Sequence, residues 1–212
     1  MQNPVNPTVA VGSVSNSDLR SIRVLGGIAA VLGLLSVVLS LLPIFGFLLF
    51  LVAIVIHLFV GLKLSKLYNS DKAVFRVSIA LCCEVAAGLV LFTLIDRLLN
   101  VSSVEELEKL VEEFLGRILL AGLLVIVGAV FFMLYLRELG AKLGNSKFET
   151  GAILFIIGFF LRVIFIGYVV EAIAYIFILI AFLSVGSDNA IYQNSGIQYV
   201  QVSSDASYSS VV

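Results

Sequence analysis

The stretch VLGGIAAVLGLLSVVLSLLPIFGFLLFLVAIVIHLFVGL, residues 24–62, contains no Lys, Arg, Asp or Glu. A single helix over these residues would be about 58 Å long, almost twice the roughly 30 Å thickness of the hydrocarbon core of a bilayer. The chain must therefore turn back within the stretch, and Pro43 and Gly46 favour a turn in LLPIFG. The sequence predicts two membrane spans here, Val24–Leu42 and Phe45–Leu64.

The composition of the whole chain indicates the same environment. Of its 212 residues, 61% are hydrophobic and 13% are charged, whereas soluble domains average about 45–50% apolar and about 25% charged residues. The net charge of -1 provides no basic field for nucleic acid. We therefore expect an integral membrane protein whose surroundings are the lipid bilayer and which has no nucleic-acid partner.

Three further apolar segments complete the predicted bundle. Val77–Ile95 and Ile118–Leu136 are the third and fourth spans, and Gly151–Gly186 is again too long for one crossing. We divide this last segment near Gly167, which makes spans five and six short. Because only helices and closed barrels satisfy their backbone hydrogen bonds in lipid, we predict an all-α polytopic membrane helix bundle with six transmembrane helices in three hairpins.

Polar segments flank this six-helix domain, which we predict to cover residues 21–186. Residues 1–20 are predicted to be a disordered cytoplasmic segment. Residues 187–212 are rich in Ser, Tyr and Gln and lack Lys and Arg, so they are predicted to be a flexible cytoplasmic tail. Within this tail, IQYVQV alternates apolar and polar side chains and is a candidate strand for a partner's sheet edge.

Basic residues define the orientation of the predicted bundle in the cell membrane. One side collects Arg20, Arg23, Lys63, Lys66, Lys72, Arg76, Arg137, Lys142 and Lys147, and the other has Arg97, Lys109 and Arg117. By the positive-inside rule, both termini are predicted to be cytoplasmic and the loop between spans three and four faces outward. This loop contains the sequon NVS, which makes Asn100 a candidate glycosylation site.

The outward loop also contains SSVEELEKLVEEFLG, residues 102–116, in which apolar residues recur at helical spacing between glutamates. This pattern predicts an amphipathic helix that lies on the membrane or leads into span four. The alternative interpretation is an acidic site for a cation or a protein partner.

Glu84 is a carboxylate near the middle of the third span. A charged residue at a helix centre costs about 2.5–3.5 kcal/mol on the insertion scale, so it needs a partner or a function. His57, the only histidine, and Glu84 are nearly equally far along the chain from Ser70 in the hairpin turn, which places them at similar depth. We predict a hydrogen bond between them, with a proton or ion relay as the alternative to a purely structural contact.

Arg162 and Glu171 are a second pair of ionisable residues in an apolar segment. They lie on either side of Gly167 at nearly equal distances along the chain, so they are predicted to form an ion pair near the outer interface. Such a pair either fixes helix register or belongs to a relay, because ionisable groups inside a membrane often mark function.

Small residues suggest how the helices associate. Ala29 and Gly33, then Ser36 and Ser40, form a small-xxx-small face on span one, suited to close packing either within the bundle or between copies of the chain. The seven-residue spacing of Gly26 and Gly33 recurs at 151 and 158, which hints at a parallel internal repeat.

Residues for catalysis or metal binding are scarce. The chain lacks the H-E-x-x-H, G-x-S-x-G, Walker and G-x-G-x-x-G motifs. Its two cysteines, Cys82 and Cys83, are neighbours and are predicted to be small buried hydrophobes. We therefore expect no enzyme activity, no cofactor and no metal.

Three segments carry a resemblance to a known family: SIRVLGG, GNSKFETGAILFIIG and AIAYIFILIAFLSV. Over residues 21–185 the chain resembles an archaeal family of small multispanning membrane proteins catalogued as domain of unknown function 996. The resemblance implies an integral membrane protein of archaeal type and supplies no functional residues.

Two classes of function fit these observations, together with a third possibility. The first is a structural or partner-binding membrane component. The alternative is a small transporter or channel with a relay at Glu84 and His57, and the third is a membrane protein that chiefly assembles with itself. A transporter requires a polar cavity that reaches the middle of the membrane, whereas a scaffold can be packed shut.

Overall fold

The computed structural model describes residues 16–101 and 103–186, so the predictions for residues 1–15 and for the tail 187–212, including IQYVQV, lie outside it. The helices of these residues are α1 (Asn16–Val38), α2 (Pro43–Tyr68), α3 (Lys72–Leu99), α4 (Val104–Leu143), α5 (Ser146–Leu161) and α6 (Ile166–Leu183). Short 3-10 segments, Leu39–Leu41 and Arg162–Ile164, follow α1 and α5. Because α1 begins at Asn16, the predicted disorder of residues 16–20 is wrong.

The predicted all-α polytopic bundle is confirmed over the described residues. Five of the six helices are long and apolar enough to cross a membrane, and α5 is the exception. With 16 residues, α5 is about 24 Å long, and the 3-10 segment that follows extends it to about 30 Å. Spans five and six are short, as their division predicted.

The six helices form a closed ring. Helices that are consecutive in the chain pack against each other, and α1 also packs against α6. Ion pairs Lys63–Asp18, Arg76–Glu138 and Arg137–Glu149 join neighbouring helices at one end of the ring. We call this end, where α1 begins and α6 ends, the basic end, and we call the other end the opposite end.

The first hairpin turns where LLPIFG predicts, but Gly46 has a different role. Pro43 begins α2, where its missing N–H costs no helical hydrogen bond. Gly46 lies inside α2, and a Cβ there would be 3.0 Å from the backbone oxygen of Ser36. Gly46 therefore allows α1 and α2 to approach closely, so its predicted role in the turn is wrong.

The predicted amphipathic segment 102–116 is not a separate helix. It forms the start of α4, which runs without a break over 40 residues, about 60 Å. Of the two predicted placements, the one that leads into span four is therefore correct over the described residues. At its far end, α4 stops at Gly144, whose φ of 63° suits glycine. Asn145 then caps α5 by accepting a hydrogen bond from the Lys147 N–H.

The last hairpin turns earlier than predicted. The break lies in the 3-10 segment Arg162–Ile164 and at Phe165, whose φ is 61°, whereas Gly167 already belongs to α6. A Cβ on Gly167 would collide with the backbone of Gly158 and Leu161. Gly167 therefore permits close packing of α5 on α6 and does not itself form the turn.

The small-residue face of α1 packs inside the bundle. Ala29 is fully buried. A Cβ on Gly26 would collide with the Phe182 ring, and one on Gly33 with the Tyr175 ring. These α1 glycines thus form sockets, sites without a side chain that receive the two aromatic rings of α6, which are also seven residues apart. This contact favours packing within the bundle over packing between copies of the chain for this part of the face.

The glycines of α5 accept the same helix from its other side. A Cβ on Gly151 would lie 2.7 Å from Ile178, and one on Gly158 would lie 2.6 Å from Glu171. Helix α6 is therefore packed between α1 and α5. The seven-residue glycine spacing recurs in α1 and α5 because both helices pack against α6.

Candidate functional site

A cavity of about 260 Å³ lies inside the ring, in the half nearer the opposite end. All six helices contribute to its wall. Its polar lining residues are Ser36, Ser40, Glu84, Arg162 and Tyr168. The cavity therefore brings together part of the small-residue face of span one and two of the predicted intramembrane polar residues, which no sequence pattern indicates.

Glu84 supplies a carboxylate near the middle of α3. The residue is only 6% exposed, and no hydrogen bond or ion pair joins it to another residue that the structure describes. Gly128 of α4 faces it, and a Cβ there would be 3.0 Å from Glu84 Oε1. Glycine at 128 thus leaves room for the carboxyl group beside the cavity.

Ser36 and Ser40 bind backbone carbonyls of their own helical turns. Ser36 Oγ donates to the Gly33 oxygen at 2.6 Å, and Ser40 Oγ donates to the Val37 oxygen at 2.7 Å. Each hydroxyl has a single proton, which these bonds use. Both oxygens therefore keep lone pairs with which to accept a hydrogen bond from a cavity ligand.

The predicted ion pair between Arg162 and Glu171 is present. Arg162 Nη2 donates to Glu171 Oε2 at 2.7 Å, and Nε lies 2.7 Å from Oε1 in a contact too bent to be a regular hydrogen bond. Glu171 is fully buried. The Arg162 guanidinium also lies over the rings of Phe159 and Tyr168, at 5.4 and 5.9 Å from their centroids.

The predicted hydrogen bond between His57 and Glu84 is wrong. His57 Nδ1 instead lies 3.3 Å from the Tyr135 hydroxyl, and that hydroxyl donates to the His57 backbone oxygen at 3.1 Å. The other ring nitrogen, Nε2, is buried with no hydrogen-bond partner among the described residues. Equal depth in a hairpin does not specify the rotation of each helix about its axis, and α2 turns His57 toward α4.

Aromatic rings close the cavity on the side of the basic end. Phe155 lines the cavity and packs edge-on against Phe132, with 5.1 Å between centroids. Phe132 in turn packs against His57 at 5.2 Å, and His57 contacts Phe182 at 5.8 Å. All four side chains are 1% exposed or less. Phe155 lines the cavity and the other three rings pack behind it, and we call these four rings the aromatic floor.

Two residues of the cavity wall are partly exposed. Leu91 is 40% exposed and the Arg162 side chain is 36% exposed, and both lie on the cavity wall. Leu91 and Glu84 are about 10 Å apart along α3. The cavity therefore extends from near the opposite end to roughly the middle of the bundle.

Several residues singled out in the sequence lie away from the cavity. Asn100 is exposed at the end of α3, where its side-chain nitrogen donates to the Asp96 oxygen at 2.8 Å, and its glycosylation stays a prediction. Cys82 is exposed and Cys83 half-buried, so the prediction that both are buried is wrong. The described residues contain no group of three or more metal-binding side chains.

Sequence reasoning missed several site residues, among them Tyr168 on the cavity wall, Tyr135 and Gly128. Tyr135 carries the hydroxyl that binds His57, and Gly128 makes room for Glu84. Both lie in the fourth span, which contains no charge that would draw attention to it. A tyrosine inside an apolar span, near its end, was the available signal for Tyr135, since a buried hydroxyl needs a partner.

The fold and the cavity together define a class, a polytopic helical membrane protein with a partly polar interior cavity. The chain belongs to the family described as "Protein of unknown function (DUF996)", which matches residues 33–176. This match confirms the family resemblance, and it includes all five polar lining residues of the cavity. No curated protein and no solved structure matches the chain.

Proposed function

We propose that this protein is a small transporter that binds a solute in the cavity beside Glu84. The observation that carries the proposal is a partly polar cavity that reaches a carboxylate near the middle of the bundle. Ligand sites commonly combine apolar walls with a few polar groups, and transporter sites lie near the membrane midplane. A bundle with a purely scaffolding role has no need of such a space.

Binding followed by release fits the cavity better than open conduction. A channel needs a continuous path, and the aromatic floor separates the cavity from the basic end. A solute bound at Glu84 would cross only if these rings moved apart, as alternating access requires. In this proposal Glu84 acts without His57, which is a structural part of the floor.

We place the protein in the cell membrane with both termini in the cytoplasm and the cavity facing outward. This placement is supported by the concentration of Lys and Arg at the basic end, because the positive-inside rule assigns the end richer in these residues to the cytoplasm. We also propose that the protein is not an enzyme, because the cavity contains a carboxylate, two hydroxyls that bind backbone, a paired arginine and a tyrosine. This set provides no activated nucleophile and base pair.

A structural or partner-binding role is the second candidate, and the start of α4 supports it. Val111 and Leu115 are exposed there, one helical turn apart, beside the ion-paired Glu113. Such a surface suits a protein partner or the lipid interface. Self-assembly is less well supported than the sequence suggests, because Gly33 and Ala29 face other residues of the same chain.

Cysteine accessibility tests the transporter proposal. In a Cys82→Ala, Cys83→Ala background, Ser40→Cys should react with a charged, membrane-impermeant methanethiosulfonate reagent added to the outside of intact cells. Leu99→Cys, at the exposed end of α3, is the positive control, and Ala152→Cys, fully buried, is the negative control. If Leu99→Cys reacts while Ser40→Cys stays as unreactive as Ala152→Cys, the cavity is closed and the structural role is favoured.

A further inference from the structure

The charge of the cavity wall limits what it can hold. Arg162 and Glu84 are the charged residues on the wall. Arg162 is neutralised by Glu171, whereas Glu84 has no such partner among the described residues. With Glu84 ionised, the wall and its paired neighbour sum to one formal negative charge, which favours a ligand with one positive charge.

The hydrogen-bonding groups of the wall also favour a positively charged ligand. Ser36 and Ser40 have donated their protons to backbone oxygens, so each offers an acceptor to the cavity. Arg162 directs one edge of its guanidinium at Glu171. Most polar atoms available to a ligand are thus oxygens that accept hydrogen bonds, and a ligand with N–H or O–H donors satisfies them.

The apolar part of the wall includes four aromatic rings. Phe47, Phe50, Phe155 and Phe159 line the same cavity as Glu84. Aromatic faces attract cations, and this attraction is strongest for alkylated ammonium groups that shed water easily. The described residues contain no group of three or more His, Cys, Asp or Glu side chains, and a divalent cation bound by protein usually has several carboxylate or carbonyl ligands. The combination of one carboxylate with several rings favours an organic cation.

We propose that the cavity binds a small organic ammonium ion, with the charged nitrogen beside Glu84 and its alkyl groups against the phenylalanine rings. This inference rests on the proposed function and names its substrate class. The volume of about 260 Å³ lies just below the usual range of ligand pockets, about 300–1,000 Å³, so the ligand is a small molecule. Primary to quaternary amines of this size fit the space.

A matched pair of probes separates charge from shape. Choline and its uncharged isostere 3,3-dimethylbutan-1-ol have the same branched apolar group, and only choline is a cation. Isothermal titration of the purified full chain in detergent micelles should give choline a dissociation constant in the millimolar range or tighter. The alcohol should bind roughly tenfold more weakly or worse, because it lacks the charge that pairs with Glu84.

Two variants assign the site. Glu84→Gln should weaken choline binding roughly tenfold or more, whereas Glu113→Gln, the same change at an exposed carboxylate, should leave it unaltered. Phe50→Leu keeps an apolar side chain but removes a ring, so it should weaken choline binding a few-fold. Because Phe50→Leu leaves every charge in place, it keeps the test valid if Glu84→Gln does not fold.

The outcomes are distinct from those of the accessibility test. Equal binding of choline and the alcohol, unaltered choline binding in Glu84→Gln, or displacement of choline by an equal concentration of sodium would each overturn the inference. If Ser40→Cys reacts but choline does not bind, the ammonium site is wrong and the transporter proposal stands. If Ser40→Cys is unreactive and choline does not bind, both are wrong.

Discussion

Glu84 and Glu171 are both buried carboxylates on apolar helices, but their surroundings differ. Glu171 is held by Arg162 through two close contacts and packs against Gly158. Glu84 has room beside Gly128, borders a cavity and has no hydrogen-bond or ion-pair partner among the described residues. The comparison teaches that burial of a carboxylate does not by itself mark a ligand site, because Glu171 is explained by its ion pair and only Glu84 borders the cavity.

The largest expected effect concerns the paired glutamate. Arg162→Met should lower the free energy of unfolding by about 3–5 kcal/mol, because it leaves the fully buried Glu171 without its counter-charge. Denaturation in mixed detergent micelles with increasing dodecyl sulfate measures this loss. The double variant Arg162→Met, Glu171→Leu should recover most of the stability, since no unpaired charge remains. A double variant as unstable as the single one would contradict a structural role for the pair.

Next in size is the packing that holds α6, the helix that carries Glu171. Gly33→Ala should destabilise the bundle by about 1–3 kcal/mol, because the new methyl group would collide with the buried Tyr175 ring. Gly122→Ala is the matched control, as no atom outside its own helical turn lies within 4 Å of the new Cβ. We expect the control to be neutral or slightly stabilising. The same denaturation assay measures both variants. Equal stability of the two would contradict the claim that Gly33 is a socket for the Tyr175 ring.

A smaller effect tests the assignment of His57 to the floor. Tyr135→Phe should cost about 1–2 kcal/mol of stability, since it removes the hydroxyl that binds His57 and leaves Nδ1 buried without a partner. Choline binding should be unchanged, because Tyr135 does not line the cavity. Titration calorimetry on the variant measures choline binding. A loss of binding as large as that of Glu84→Gln would mean that His57 contributes to the ligand site.

The smallest change in stability is expected at Glu84 itself. Glu84→Gln should alter the free energy of unfolding by less than about 1 kcal/mol, or raise it, because no ion pair is lost and a desolvated charge is removed. The denaturation midpoint of this variant, set beside that of Arg162→Met, is the direct measure of the difference between the two glutamates. Comparable losses in both variants would mean that Glu84 has a structural partner after all.

Segment boundaries show how far sequence reasoning reaches. The break before Pro43 was predictable because proline begins a helix easily and cannot continue one. The break at Phe165 was not, since a bulky residue with a φ of 61° has no sequence signal of its own. Gly46, predicted as a turn residue, and Gly167, near which the last segment was divided, instead serve helix contacts, because glycine favours turns and close packing alike.

The polar pairings show the same division. Arg162 and Glu171 lie nine residues apart across one tight turn, so local chain geometry nearly determines their contact. His57 and Glu84 lie on longer helices, where the chain fixes depth but a rotation of either helix separates the side chains. Tyr135 becomes the partner of His57 because α4 packs across the ring, which only the assembled bundle specifies.

By itself, the sequence determined the membrane environment, the number of helices and the gathering of basic residues at one end, because these depend on the length and polarity of each segment alone. The tertiary structure decided which way each helix faces. That rotation depends on the fit of side chains into glycine sockets on other helices, an interaction between distant residues that no single segment encodes. It is this rotation that left Glu84 beside a cavity and His57 inside the aromatic floor.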